Sequence, residues 1–204
     1  MNRYRFGWSV SLFLISWTML VLPSGAQGQY VFSGTSEAQP SGYPELWDWE
    51  YCITLTWDVP GISTVSHFDV LLQLEECPCV CDFFSFAALD VAGTSTGEAE
   101  GEPCTVEYWA YFTCQDPSIP GLDVPLVKFE PLELCGCFPM YQGSGTFCFF
   151  SNWPPIPITD PDSLLVLKSG DFVGFGELTG VLPSCTCPTE TEEGSWSGVK
   201  ILFR

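Results

Sequence analysis

The sequence predicts an all-β fold: a disulfide-rich antiparallel β-sandwich with Ig-like or Greek-key connection. Three observations predict it. Apolar and polar residues alternate over several short stretches, eleven cysteines are spread among those stretches, and no segment holds a helical period over twelve residues. Short strands separated by turn signals suit two packed sheets.

The chain opens on a pattern that belongs to targeting rather than to the fold. "MNRYRFGW" carries Arg3 and Arg5 and no acid. "VSLFLISWTMLVL" (10–22) is an apolar run, and "PSGA" places Ser24 and Ala26 at the −3 and −1 positions of a cut before Gln27. Residues 1–26 therefore read as a secretory signal peptide. The apolar run is shorter than the roughly 20 residues of a membrane span, so the mature chain is expected to be soluble. Residues 27–46 read as a loose N-terminal leader and 47–204 as a single β-sandwich domain. After cleavage four basic side chains remain, Lys128, Lys168, Lys200 and Arg204, against 25 acids, a formal charge of −21. Nucleic acid is excluded as a partner because too few cations are left to neutralise phosphates, and anionic lipid is disfavoured for the same reason.

The strands follow in order. In "WDWEYCITLTWDV" (47–59) Trp47, Trp49, Tyr51, Ile53, Leu55, Trp57 and Val59 share one face, and Asp48, Glu50, Cys52, Thr54, Thr56 and Asp58 share the other; that is a half-buried strand. "PGIST" turns the chain, and "HFDVLLQL" (67–74) alternates again with Phe68, Val70, Leu72 and Leu74 inward. "FFSFAALDV" (83–91) fits either a strand or a short helix. "TVEYWAYFTC" (105–114) puts Val106, Tyr108, Ala110 and Phe112 on one face. Shorter candidates are 125–131, 145–150, 163–168, 171–178 and 198–203. The stretches 93–103, 115–121, 140–145, 152–162 and 191–195 are rich in Gly, Pro, Ser and Asp and read as turns; residues 188–195 form an acidic loop before the last strand.

The cysteines are Cys52, Cys77, Cys79, Cys81, Cys104, Cys114, Cys135, Cys137, Cys148, Cys185 and Cys187. An exported chain makes disulfides their expected state. A zinc site would favour C-x2-C pairs or several histidines, and the chain has no such pair and one histidine, His67. The C-x-C spacing of 77–81, 135–137 and 185–187 points cross-links outward: residues i and i+2 of a strand face the same way about 6.5 Å apart, at the limit for a disulfide. Each member should bond a different segment. Eleven is odd, so one thiol is left free or joins another molecule, which opens a disulfide-linked dimer.

Candidate chemistry is sparse. No G-x-S-x-G, H-E-x-x-H, P-loop or dinucleotide fingerprint occurs. His67 and Asp69 share a strand face, but no nucleophile is identifiable beside them, and the plain reading is an exposed polar position. No cofactor is implied. Calcium has weak support from Glu98, Glu100 and Glu102 and from Asp160 and Asp162, carboxylates in loops that match no EF-hand. The clearest binding feature is Trp109 and Tyr111 on the polar face of strand 105–114 with Glu107: two neighbouring aromatics that would stack on sugar rings while the carboxylate accepts hydroxyl hydrogen bonds.

These observations favour a secreted, non-enzymatic structural or interaction module of an extracellular or cell-surface assembly, with a protein or glycan partner outside the cell. Two alternatives are a carbohydrate-binding module built on the aromatic platform and a secreted hydrolase with an acidic catalytic pair. The cysteine count yields a direct expectation of five intramolecular disulfides and one unpaired thiol. Alkylation of the mature protein should label one cysteine before reduction and eleven after it, and six or more labels before reduction would refute the framework.

Overall fold

The computed structural model describes residues 30–73, 81, 84–132 and 136–184. The segment 1–26 read as a signal peptide, Cys77, Cys79, Cys135, Cys185, Cys187, the stretch 188–195 read as an acidic loop and the strand expected over 198–203 lie outside the described residues.

The described chain forms ten strands: β1 (Val31–Pro40), β2 (Trp49–Asp58), β3 (His67–Leu71), β4 (Gly93–Ala99), β5 (Glu102–Thr113), β6 (Leu126–Pro131), β7 (Gln142–Ser151), β8 (Pro155–Pro157), β9 (Leu165–Ser169) and β10 (Phe172–Pro183). Nine of them join in the order β1-β2-β7-β4-β5-β6-β3-β9-β10, and β10 returns to pair with β1. The result is a closed nine-stranded barrel with β8 added to the end of β10. The expectation of a β-sandwich, Ig-like or Greek-key, is overturned by this closure; the all-β content and the disulfides stand. Alternation marks only which face of a strand is buried, and a barrel and a sandwich bury the same face.

Closure depends on β1, in the segment read as a leader. Its inward residues are Phe32, Gly34 and Ser36, too small a set to signal a core strand. Gly34 gives way to side chains of nearby strands: a Cβ there would lie 2.6 Å from Leu55 of β2 and 3.2 Å from Leu165 of β9. β1 pairs antiparallel with β2 along its whole length and parallel with β10 through Ser33–Ser36. At the end of that seam Gly180 adopts φ 108°, and a Cβ would fall on the Ser36 carbonyl oxygen, so only glycine fits.

Two segments read as turns are strands for a related reason. Gly93 in β4 lies against Phe147, and Gly143 in β7 lies against the Trp57 ring; these glycines mark close approach inside strands, not breaks between them. The real β4–β5 turn is only Glu100 and Gly101, both at positive φ (51° and 88°), as a two-residue hairpin requires. Segment 84–91 is neither a strand nor a helix, apart from a bridge from Ala87 to Phe150.

The lumen is filled by rings. Phe68 reaches across it, with its centroid 4.8 Å from Trp57, 5.5 Å from Phe147, 5.9 Å from Phe32 and 6.0 Å from Tyr108. Their polar tips are satisfied: Trp57 Nε1 donates to the Met140 carbonyl at 2.8 Å, and Tyr108 Oη is 2.9 Å from Ser95 Oγ. Around Tyr51, Phe84, Phe86, Phe149 and Trp153 pack together, and Tyr51 Oη donates to the Trp153 carbonyl at 2.6 Å.

All six described cysteines are disulfide-bonded: Cys52–Cys148, Cys81–Cys114 and Cys104–Cys137. Cys81 and Cys137, each from a C-x-C stretch, bond distant segments as expected. Cys52 and Cys148 sit directly opposite in the β2–β7 ladder, so this bridge rivets two neighbouring strands.

Because Phe68 touches rings from four other strands, its loss leaves a void the closed wall cannot collapse to fill. Phe68→Ala should destabilise by about 3–5 kcal/mol, read as a lower urea midpoint with an unchanged slope. A loss below about 1 kcal/mol would mean the lumen is not packed as described.

Candidate functional site

Two places on the outer wall gather chemistry, and they adjoin. The first was expected. Trp109 and Tyr111 point outward from β5, opposite Glu130 and Lys128 of β6 in register. The Trp109 side is open, with 41% of the residue exposed, while Tyr111 and Glu107 are half-buried. The two rings lie 4.8 Å apart but are tilted by 33°, so they form a shallow angle and not one flat platform. Tyr111 Oη donates to Glu130 Oε1 at 3.3 Å. A planar ligand face can lie on Trp109 with Tyr111 as a side wall and Glu107 and Glu130 as acceptors at the rim.

The second place was misread. His67 and Asp69 do share the outward face of β3, but they are buried, at 4% and 0% exposure. The exposed position expected for them is corrected by the loop 115–124, which folds over that face. Its compactness comes from Ile119 N donating to Asp116 O and Leu122 N donating to Ile119 O, at 3.0 and 3.1 Å. Ile119 is buried with it, and Asp116 is driven onto the strand.

Asp116 is the hub. Its Oδ1 accepts from Ser118 N (2.8 Å), Ser118 Oγ (2.7 Å) and Lys128 Nζ (3.1 Å). Its Oδ2 accepts from His67 Nε2 at 2.9 Å and from Lys128 Nζ at 3.2 Å. Lys128, itself buried, also reaches Glu130 Oε1 at 3.2 Å. Asp69 faces Lys128 across the β3–β6 ladder, yet neither of its carboxylate oxygens has a hydrogen-bond partner; the His67 Nε2 is 3.7 Å from Oδ2.

The environment separates two neighbouring carboxyls. Burial would raise Asp116, but the Ser118 and Lys128 hydrogen bonds outweigh it and hold the group at about 2. Burial, with the Asp116 charge behind it, pushes Asp69 up to about 8. Burial and the Lys128 ammonium lower His67 to about 4 despite Asp116. At neutral pH the geometry therefore holds a neutral imidazole, an ionised Asp116 bound to Lys128, and a protonated Asp69.

Asp116, Lys128 and Glu130 were missed. A signal was present: "PLVKFEP" sets a lysine inside an apolar strand in a chain with few lysines, and "DPS" after Cys114 is a loop whose aspartate accepts from its own Ser118.

The calcium candidates stay apart from this cluster. Glu98, Glu100 and Glu102 are exposed around the β4–β5 hairpin, and Asp160 and Asp162 are exposed in the loop before β9. Glu50 lies close to Cys52 and Cys148, but those sulfurs are joined to each other and offer no thiolate.

A scan against protein-family models, a search of curated proteins and a search of solved structures each found no match to this chain.

The cluster sets the pH dependence of stability, measured with chelator present. Asp116, depressed in the fold, adds stability as pH rises from about 2 to its unfolded value of 3.8. Between about 4 and 6.5 the folded His67 binds fewer protons than the unfolded one and the folded Asp69 binds more, so their effects oppose. From 6.5 to about 8 only the Asp69 effect is left, and stability falls by up to about 1.4 kcal/mol per pH unit. Asp69→Asn should flatten that decline in urea unfolding between pH 6.5 and 8; parallel curves for wild type and variant would contradict it.

Proposed function

We propose that this chain is a secreted, non-enzymatic interaction module that works from the outside of its barrel. The observation that carries the reading is the contrast between the two faces of the wall. The lumen is occupied by Phe68, Trp57, Tyr108 and Phe147 and leaves no room for a ligand, while Trp109 stands open on the outer wall beside Tyr111. Tryptophan and tyrosine are the side chains enriched among the contacts that carry binding energy.

Three further points support it. Three disulfides in the described chain suit an oxidising compartment. The wall has water-facing polarity, with Thr54, Thr56 and Asp58 outward and Ile53, Leu55 and Trp57 inward, the reverse of a lipid-facing barrel. Among the described residues, the one carboxyl pair with widely separated proton affinities, Asp69 and Asp116, lies under the loop 115–124 with both side chains fully buried. A hydrolase would need such a pair open to substrate.

The open indole favours a carbohydrate ligand as the second reading. Stacking on Trp109 needs no positive charge, which suits a chain of −19 before processing, and the flanking Glu107 and Glu130 can accept from sugar hydroxyls. A glycan array tests it. Wild type should bind a neutral saccharide, and Trp109→Ala should lose at least tenfold in affinity with an unchanged near-ultraviolet spectrum. Absence of any glycan signal for the wild type would remove the sugar reading, and equal binding by Trp109→Ala would move the contact surface elsewhere.

A further inference from the structure

The orphaned carboxylate of Asp69 asks for a partner that the protein does not supply. It is fully buried, both its oxygens lack a donor, and it is aimed at a histidine and a second carboxylate. His67 Nε2, an Asp69 oxygen and an Asp116 oxygen all lie within 4.8 Å of one another, with Nε2 at 2.9 Å from Asp116 Oδ2 and 3.7 Å from Asp69 Oδ2. Three ligands at about 2.0–2.1 Å from a tetrahedral ion would stand about 3.4 Å apart, and the two histidine–carboxylate sides, 2.9 and 3.7 Å, lie on either side of that spacing.

We propose that His67, Asp69 and Asp116 bind one divalent transition-metal ion of the zinc class between β3 and the loop 115–124. The donor set selects the class. One imidazole nitrogen with two carboxylate oxygens suits zinc and its neighbours, whereas calcium and magnesium take oxygen ligands alone. Charge supports it as well. The ion would displace the proton of Asp69; ionised Asp69, Asp116 and Glu130 with Lys128 then carry two negative charges in excess, which a divalent ion cancels. Lys128 keeps its contacts to Asp116 Oδ1 and Glu130 and holds the second oxygen of Asp116 toward the ion, as an outer partner of a metal ligand does. The ion would tie a loop to the barrel wall. It is a fastening site, because the side chains of its ligands are at most 5% exposed.

The test uses the full mature protein with its disulfides intact. After dialysis against EDTA, zinc is titrated in by calorimetry and the thermal unfolding midpoint is followed. One ion per chain should bind and raise the midpoint, and cobalt should give the visible absorption of a low-symmetry four-coordinate site, three ligands from the protein and the fourth a water. Asp69→Asn should keep the near-ultraviolet spectrum of the folded chain and lose the zinc-dependent rise of the midpoint. No saturable binding by the wild type would overturn the proposal, as would zinc binding that survives Asp69→Asn unchanged. Should that variant fail to fold, the cobalt spectrum of the wild type decides alone: an octahedral, aquo-like spectrum would overturn it.

Discussion

The parallel pairing of β1 with β10 is the constraint on which the rest of this structure depends. Without it the sheet would have two unpaired edges and an open aromatic face; with it every strand of the barrel has a neighbour on both sides. The seam is tightest at its glycines. Ser36 of β1 faces Gly180 of β10, Gly34 faces Leu178, and Gly176 lies against Phe32; added side chains at Gly176 or Gly180 would strike the β1 backbone. Leu55 and Leu165 occupy the space beside Gly34, and the Phe32 ring covers Gly176. Small residues beside large ones are how a narrow barrel fills its own lumen.

That filling decides where function can reside. A barrel with an empty lumen can carry a ligand inside; this one has Phe68 across its middle, and its tyrosine and tryptophan tips are already hydrogen-bonded within the protein. In the function we propose, recognition therefore belongs to the outer wall. The loop 115–124 covers part of the outer wall next to β6: Cys114 directly follows β5 and is bonded to Cys81, so the loop that starts at Gln115 leaves from a fixed point. A rigid origin for that loop keeps Asp116 on Lys128, and Lys128 lies beside Tyr111.

The strand pattern was legible wherever inward residues are large. β2, β3 and β5 could be read by alternation, with Tyr51, Ile53, Leu55, Phe68, Val70, Val106 and Tyr108 all inward. The barrel was not legible because its closing strand, β1, carries Gly34 and Ser36 where a core strand usually carries branched side chains, and because glycines in β4 and β7 look like turn residues when their packing partners are unknown. The site was half legible. Trp109 and Tyr111 are visible as aromatics on a polar face. The burial of His67 was not, because it depends on a loop folding back over β3, and nothing local to "HFDVL" indicates a cover.

The cluster under that loop also explains a feature of composition. A chain so rich in acids uses one of its few lysines inside a wall, where a charge is expensive to bury. Lys128 is held by Asp116 and Glu130, and Asp116 in turn has Ser118 and His67 as donors, so each of those charges is compensated. Asp69 alone is not. A buried acid with no donor persists only if it carries a proton or meets a cation, and it sits in the same pocket as a compensated carboxylate and a neutral imidazole. Were the loop merely a cover for an apolar strand, a hydrophobic residue at 69 would pack there at lower cost. Under the proposal above, an ion on Asp69 would add a second fastening of the loop to β3, beside the one that Asp116 already makes with Lys128 and His67. The loop leaves Cys114 directly after β5, the strand that carries Trp109 and Tyr111, so that fastening would sit next to the exposed aromatic surface.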